Sequence, residues 1–136
     1  MTLPNDLHAA IYGKLTAGTA LTALLAGTVS VYHINAPEGA AMPYVIFGLQ
    51  SGGPINVTPS DIREEVIRVF GVAASAKTAG AVDGQVSALL HKGSVTVSPY
   101  TTMSLYRETD IEYAELTTNG ERVYVSGGTY RLSLDN

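Results

Sequence analysis

The chain has 136 residues, of which 46% are hydrophobic and 15% charged, and its 8 basic and 12 acidic residues give a formal net charge of −4. This length predicts one domain, residues 1–136, with a core of its own. The acidic balance, with scattered basic residues, excludes nucleic-acid binding through a basic face, and the absence of cysteine excludes disulfides and thiolate chemistry.

The N-terminal part of the chain is predicted to be helical. Hydrophobic residues recur at helical spacing over residues 7–15, and Gly18 interrupts this pattern. A second short helix is predicted from Thr19 to Gly27, followed by a short strand over residues 29–34.

The middle of the chain predicts two strands and a second main helix. Residues 44–47 form a continuous apolar run, which predicts a strand covered on both faces. Residues 50–60 are rich in Gly, Pro and Ser and predict a long loop. A strand over residues 64–74 and a helix over residues 78–92 follow, with Gly93 as the residue that ends the helix.

The C-terminal third is predicted to be all-β. Asn119-Gly120 predicts a hairpin turn, and Ser126-Gly127-Gly128 predicts a second turn. The predicted strands cover residues 95–97, 102–107, 111–116, 121–125 and 129–134. The fold class is therefore α+β: a mainly antiparallel β-sheet with two main α-helices packed on one face and a C-terminal β-meander.

The sequence contains no pattern typical of a catalytic, cofactor or metal site. His8, His33 and His91 lie far apart in the sequence and are predicted to be surface or edge residues, since a metal site needs at least three converging ligands. There is no nucleophile elbow and no glycine-rich phosphate loop. We therefore expect no cofactor and no metal, and no segment predicts a membrane span.

The densest group of charges opens the strand over residues 64–74. Strand alternation places Glu64 and Arg68 on one face and Arg63 and Glu65 on the other. This mixture of signs favours charge protection of an edge strand, or a salt-bridge network between subunits, over acid–base catalysis. A second acidic group is predicted to be the solvated side of a strand or a contact patch: Glu108, Asp110, Glu112 and Glu115.

Several segments, in order, resemble the tail-completion, or tail terminator, proteins of long-tailed bacteriophages. The most specific piece is Pro43-Tyr44-Val45-Ile46-Phe47, which follows the turn-rich residues 36–42. The others are residues 20–27 after the first helix, the strand with residues 68–72, the helix ending at residues 88–92 and the last strand at residues 130–134. Residues 50–60 and 101–110 match no motif of that family.

The resemblance implies a structural virion protein without catalytic activity. Members of that family form a six-membered ring that caps the finished tail tube, stops tube polymerisation and joins the tail to the head connector. The implied partners are further copies of the chain, the tail tube protein and the connector proteins, with DNA passing through the channel without specific binding. The implied location is the tail–neck region of the virion, after assembly in the host cytoplasm.

If the chain forms such a ring, we expect the subunit contacts in the predicted loop and at the start of the charged strand. Long Gly/Pro-rich loops and strand edges are suited to clasping a neighbouring copy. The predicted interface residues are Gly52, Gly53, Pro54, Ile55, Asn56, Val57, Arg63, Glu64, Glu65 and Arg68.

Two other functions remain open at this point. The chain could be a different head–tail joining protein, such as a neck adaptor or head-closure protein, with a similar fold and other neighbours. It could also be a small enzyme or ligand-binding domain. That function would need a polar pocket holding two or more of the following residues: His8, His33, His91, Asp61 and Glu65.

Overall fold

The computed structural model describes residues 3–27, 30–55, 61–117 and 119–136. The helices are α1 (Leu3–Ala17), α2 (Thr19–Thr22) and α3 (Ala76–Leu90), and the strands are β1 (Val31–His33), β2 (Tyr44–Ile55), β3 (Ile62–Ala73), β4 (Thr101–Leu116) and β5 (Arg122–Asp135). None of the described helices is both long and apolar enough to cross a membrane.

The five strands form one sheet in the order β1-β2-β3-β5-β4. Among the described strands, β1 and β2 pair in parallel and the other neighbours pair antiparallel. The structure thus confirms the predicted α+β class with a mainly antiparallel sheet. The charged strand β3 is the central strand, so the expectation that its charges protect a sheet edge is wrong.

Helices α1 and α3 pack on the same face of the sheet, as predicted. Each presents apolar residues at helical spacing to this face, which we call the helix side. The core formed there contains Leu7, Ile11 and Leu15 of α1, Val82, Val86 and Leu90 of α3, and Val45, Phe47, Ile67, Val69, Tyr130, Leu132 and Leu134 of the sheet.

No described helix covers the other face of the sheet, which we call the open face. A smaller apolar cluster lies there, built on buried Val72, Val123 and Val125 with half-buried side chains packed around them. Tyr44 and Ile46 belong to this cluster, whereas Val45 and Phe47 lie in the main core. The continuous apolar run therefore contributes to both faces, but its open face is only half-buried within this chain.

The loop predicted over residues 50–60 is wrong for residues 50–55, which continue β2. A bulge between Leu49 and Ser51 shifts the register, and residues 51–55 then pair with residues 62–66 of β3. Glycine and proline are weak strand formers, but here the ladder to the central strand overrides that preference. The rest of the predicted loop, residues 56–60, lies outside the described residues.

The second predicted turn is also wrong, because Gly127 and Gly128 lie within β5. A Cβ on Gly127 would overlap the Val69 carbonyl oxygen of β3, and one on Gly128 would overlap the Thr109 carbonyl oxygen of β4. Both glycines are therefore explained by close backbone approach in the sheet. The first hairpin turn is confirmed: Gly120 has φ +79° and its N–H donates to the Thr117 carbonyl.

Helix α3 begins and ends slightly earlier than predicted. Ser75 is its N-cap, and its side-chain oxygen accepts from the Thr78 N–H at 3.2 Å. At the other end Lys92 has φ 62°, so the left-handed residue predicted at Gly93 lies one position earlier. The strand predicted at residues 95–97 is reduced to one bridge between Val97 and Tyr100.

Candidate subunit interface

Apart from Arg68, which lies midway along β3 opposite Gly48, the predicted interface residues that the structure describes lie together at one end of the sheet. Residues 52–55 end β2, and their ladder partners are residues 62–65 at the start of β3. Asn56 and Val57 lie outside the described residues. The predicted alternation of the charged side chains is correct: Arg63 and Glu65 lie on the helix side and Glu64 and Arg68 on the open face.

Arg63 and Glu65 bind each other inside the molecule. The Arg63 Nε donates to Glu65 Oε1 at 3.0 Å, and Glu65 is only 2% exposed. Burial raises the pKa of the Glu65 carboxyl, and the hydrogen bond and charge of Arg63 oppose that shift. A Cβ on Gly52 would overlap this carboxylate. Glu65 therefore contacts Gly52 inside the chain, and its side chain has little exposed surface with which a neighbouring copy could make contact.

Glu64 belongs to a network on the open face. Arg131 Nη1 donates to Glu64 Oε2 at 2.8 Å, and its Nε donates to Glu108 Oε2 at 2.7 Å. Both carboxylates raise the pKa of Arg131, with Glu108 the larger influence. Because these groups are partly exposed, the network contributes little to stability, but it ties three strands together.

Arg68 is the exposed cation of the predicted interface. Within the described part of the chain it has neither an ion pair nor a side-chain hydrogen bond. Its Nε lies 3.8 Å from the position that a Cβ on Gly48 would occupy, so the side chain extends over β2. Arg68 is thus the charged member of the predicted set that remains available to another molecule.

The sequence interpretation missed a polar cluster that joins α3 to the β4–β5 hairpin. Arg107 donates to both carboxylate oxygens of Asp83, at 2.7 and 3.0 Å, and its Nε donates to Asp110 at 2.7 Å. It also donates to the Gly127 carbonyl at 2.7 Å and to the Tyr130 hydroxyl at 3.3 Å. The hydrogen bonding of the guanidinium to the Asp83 carboxylate is the main influence that raises the pKa of Arg107.

No spacing rule in the sequence joins Asp83 to Arg107, because 24 residues and a change from helix to strand separate them. The one available signal was Asp83, a charged residue within an otherwise uncharged stretch of α3. The cluster satisfies the guanidinium with five acceptors inside the fold, so its role is structural.

His33 and His91 are exposed, as predicted, and the fold brings His33 next to the half-buried His8 although the two lie far apart in the sequence. The rings of His8 and His33 lie with centroids 3.7 Å apart, and Phe47 packs beside both. Burial, and then the charge of His33, lower the pKa of His8. The described residues contain no group of three metal-ligating side chains.

His91 binds the backbone of β4. Its Nδ1 accepts from the Arg107 N–H at 3.0 Å, which places the proton of the neutral ring on Nε2. The cavity beside His91 has a volume of about 470 Å³ and contains none of the other four residues named for an enzyme pocket.

A further surface that the sequence interpretation left open is the outer half of β4. Its residues 108–116 are mostly exposed, including the large side chains of Tyr113 and Leu116. They carry the acidic group Glu108, Asp110, Glu112 and Glu115. This half of β4 is an edge of the sheet and pairs with residues 122–129 of β5 as a hairpin.

Comparison with known proteins identifies a family. The family described as "Tail completion protein gp17" matches residues 9–133. A search of curated proteins gives no match. Among solved structures, a chain of the "Virion of native gene transfer agent (GTA) particle" is similar with 20% sequence identity and a TM-score of 0.81, over 99% of this chain and 98% of that chain. A second structure, of a protein without a descriptive name, has 13% identity and a TM-score of 0.56 over 94% of each chain. These structural likenesses show a shared fold.

Proposed function

The chain belongs to the tail completion protein gp17 family, and from this premise we propose that it is the ring protein that terminates a phage-type tail. Six copies close into a ring on the finished tail tube. The ring stops further tube polymerisation and presents its other face to the head connector. The role is structural, and its place is the tail–neck region of the particle.

The family match over residues 9–133 carries the tail role. The shape of the sheet supports the ring. It is open, with two unlike edges, β1 at one side and β4 at the other. Contacts between unlike surfaces repeat from copy to copy and close when the rotation permits. An open sheet with two different free edges is therefore suited to a closed ring.

The charge of the chain supports the passage of DNA through such a ring. Every copy contributes a formal charge of −4, so the assembled ring is acidic. A channel wall that shares this sign repels the phosphate backbone and does not retain passing DNA, so mainly Lys and Arg on the channel-facing surface would contradict this part of the proposal. The proposed partners are therefore the tail tube protein, the connector proteins and other copies of this chain.

Light scattering on the purified chain, alone and mixed with its tail tube protein, tests the proposal. We expect a species with the mass of about six copies, or association that increases with concentration. A strictly monomeric chain under both conditions would contradict the ring. Cross-linking within the particle tests the position, because contacts with portal-side proteins and not with the tube would instead identify a neck adaptor or head-closure protein.

A further inference from the structure

We propose that the copies of this chain join edge to edge, with residues 110–112 of β4 in one copy lying along β1 of the next as an added antiparallel strand. This proposal rests on the proposed ring and specifies its contact. The occupant of each edge is therefore a second copy of the same chain.

Both edges have unpaired backbone where the contact is proposed. The first half of β4 is covered by the end of α3, because the Lys92 N–H donates to the Leu105 carbonyl at 2.7 Å and His91 accepts from the Arg107 N–H. Within the described residues, no such cover reaches residues 108–116. On the other side of the sheet, β2 is the single strand among the described residues with which β1 pairs. Unpaired strand edges of this kind are ready to bind another strand.

The direction of the strands suits this contact. β1 and β2 run one way, β3 runs back, β5 runs with β2, and β4 runs back again. β4 is therefore antiparallel to β1. A rotation about an axis along the strands changes neither direction, so β4 meets the next copy's β1 as an ordinary antiparallel pair.

The strand register also matches across the contact. Residues that are ladder partners across all five strands form a row perpendicular to the strands. The row of Tyr32 runs through Ile46, Phe70 and Gly127 to Ile111. In the same way the row of His33 ends at Asp110 and the row of Val31 ends at Glu112. A rotation about the strand direction continues each row into the next copy, which places Tyr32 opposite Ile111 on the open face.

The free hydrogen-bonding groups also match in this register. In β1 the Ser30 carbonyl and the Ile34 N–H bond to β2, so Val31 and His33 direct their N–H and carbonyl groups outward. In β4 the helix-side residues Leu105 and Arg107 likewise direct their backbone N–H and carbonyl groups outward, away from β5. Since β5 continues without a bulge, the helix-side residues Asp110 and Glu112 keep that direction. In this register, the free backbone N–H and carbonyl groups of β1 therefore lie opposite those of β4 and can form hydrogen bonds between the two copies.

Electrostatics favour a contact between β4 and β1 over a contact between two copies of β4. Residues 108–116 carry four carboxylates and no cation, and within the chain Arg131 binds Glu108 and Arg107 binds Asp110. Glu112 and Glu115 have no ion pair among the described residues, so two copies of β4 side by side would bring these uncompensated like charges together. Residues 30–35 and 48–55 contain no Asp or Glu, and this edge has His33 beside His8, with Arg68 extending over Gly48. The acidic edge thus meets an edge that has only cationic or neutral groups.

Cysteine cross-linking tests the contact sharply, because the natural chain has no cysteine. Tyr32→Cys and Ile111→Cys are made as two separate variants and mixed under mild oxidation. Directly opposite residues of an antiparallel pair have Cα atoms about 4.5–5.5 Å apart, within the range that a disulfide spans. We expect a disulfide-linked dimer from the mixture, and a ladder of multimers on a non-reducing gel when one chain carries both substitutions.

The matched control replaces Tyr32→Cys with Tyr12→Cys, which changes an exposed tyrosine on α1 and not on a strand. The mixture of Tyr32→Cys and Ile111→Cys should give roughly tenfold more disulfide-linked dimer than this control. The assembly holds the two cysteines next to each other, which gives them a high effective concentration. A strong dimer from Ile111→Cys alone would instead identify a contact between two β4 edges and overturn the proposal.

Light scattering on the unmodified chain separates this proposal from the ring itself. If the unmodified chain assembles but the mixture of Tyr32→Cys and Ile111→Cys gives no more dimer than the control, the ring proposal is supported and the proposed edge contact is wrong. If the unmodified chain stays monomeric with and without its tube protein, both are wrong. As a second readout, Glu112→Lys should weaken assembly at low salt, whereas Glu38→Lys, an exposed change off the β4 edge, should not.

Discussion

At the scale of single residues, Gly52 and Glu65 show how a side chain on one strand dictates its neighbour on the next. The two residues are ladder partners, and the Glu65 carboxylate lies where a side chain on residue 52 would be. The buried carboxylate keeps its place through Arg63, which binds it at 3.0 Å. The glycine is therefore required by the ion pair and not by a turn.

We expect Gly52→Ala to destabilise the fold by about 1–3 kcal/mol, because the added methyl group displaces Glu65 from its contact with Arg63. The measurement is the free energy of unfolding in urea. Gly53→Ala is the matched control, since no atom lies within 4 Å of its Cβ position and no loss is expected there. In a Glu65→Ala background the cost of Gly52→Ala should vanish, and an unchanged cost would contradict this explanation.

At the scale of elements, the polar cluster around Arg107 decides how α3 and the β4–β5 hairpin sit together. Asp83 of α3 and Arg107 of β4 form a two-pronged ion pair with side chains only 14% and 15% exposed. Ser126 of β5 also donates to Asp83 at 3.3 Å. Because the guanidinium has a fixed fork geometry, this pair fixes the orientation of the helix on the hairpin as well as its distance.

Arg107→Met should destabilise the fold by about 3 kcal/mol, because Asp83 is then left partly buried without its cation. Chemical unfolding measures the loss. Adding Asp83→Leu should restore much of the stability, since the uncompensated charge is removed. Arg131→Met, which breaks a more exposed network, should cost less. An equal loss in both single variants would mean that burial does not set the strength of the Arg107 pair.

At the scale of the whole molecule, the described residues combine a well-covered helix side with a face that no helix covers and two sheet edges that no further strand pairs. The helix side contains the main core, whereas the open face has only a small apolar cluster. Monomeric proteins usually protect the edges of their sheets, and here charge on β4 and the short length of β1 are the protection present. Such an arrangement suits a protein that completes its structure in an assembly.

The stability of the whole chain should fall on mild acidification because of His8. Its pKa is lowered in the folded state, so below the ordinary value of 6.5 the unfolded state binds more protons. The contribution of neutral His8 to the free energy of unfolding is therefore fully present above pH 6.5 and is lost as the pH falls through the lowered pKa.

His8→Phe keeps a ring beside His33 and Phe47 but cannot titrate. Urea unfolding of dilute monomer between pH 7.5 and 5 should show a smaller loss of stability for this variant than for the natural chain. Equal losses would show that His8 is not the group responsible. Dilution matters because assembly itself would change the apparent stability.

The sequence by itself determined the α+β class, the two main helices on one face, the first hairpin turn and the alternation of charges along β3. These features follow from local periodicity and turn chemistry, which act between residues close in the chain. The resemblance to tail-completion proteins also came from the sequence, and the family match bears it out.

Only the tertiary structure decided that β3 is central, that residues 50–55 are strand and that Gly127 and Gly128 lie within β5. It also decided the meeting of His8 with His33 and of Asp83 with Arg107. Strand order and such pairings depend on contacts between residues distant in sequence, and the energy of those contacts overrides local preferences such as the tendency of Gly-Gly and Pro to form turns.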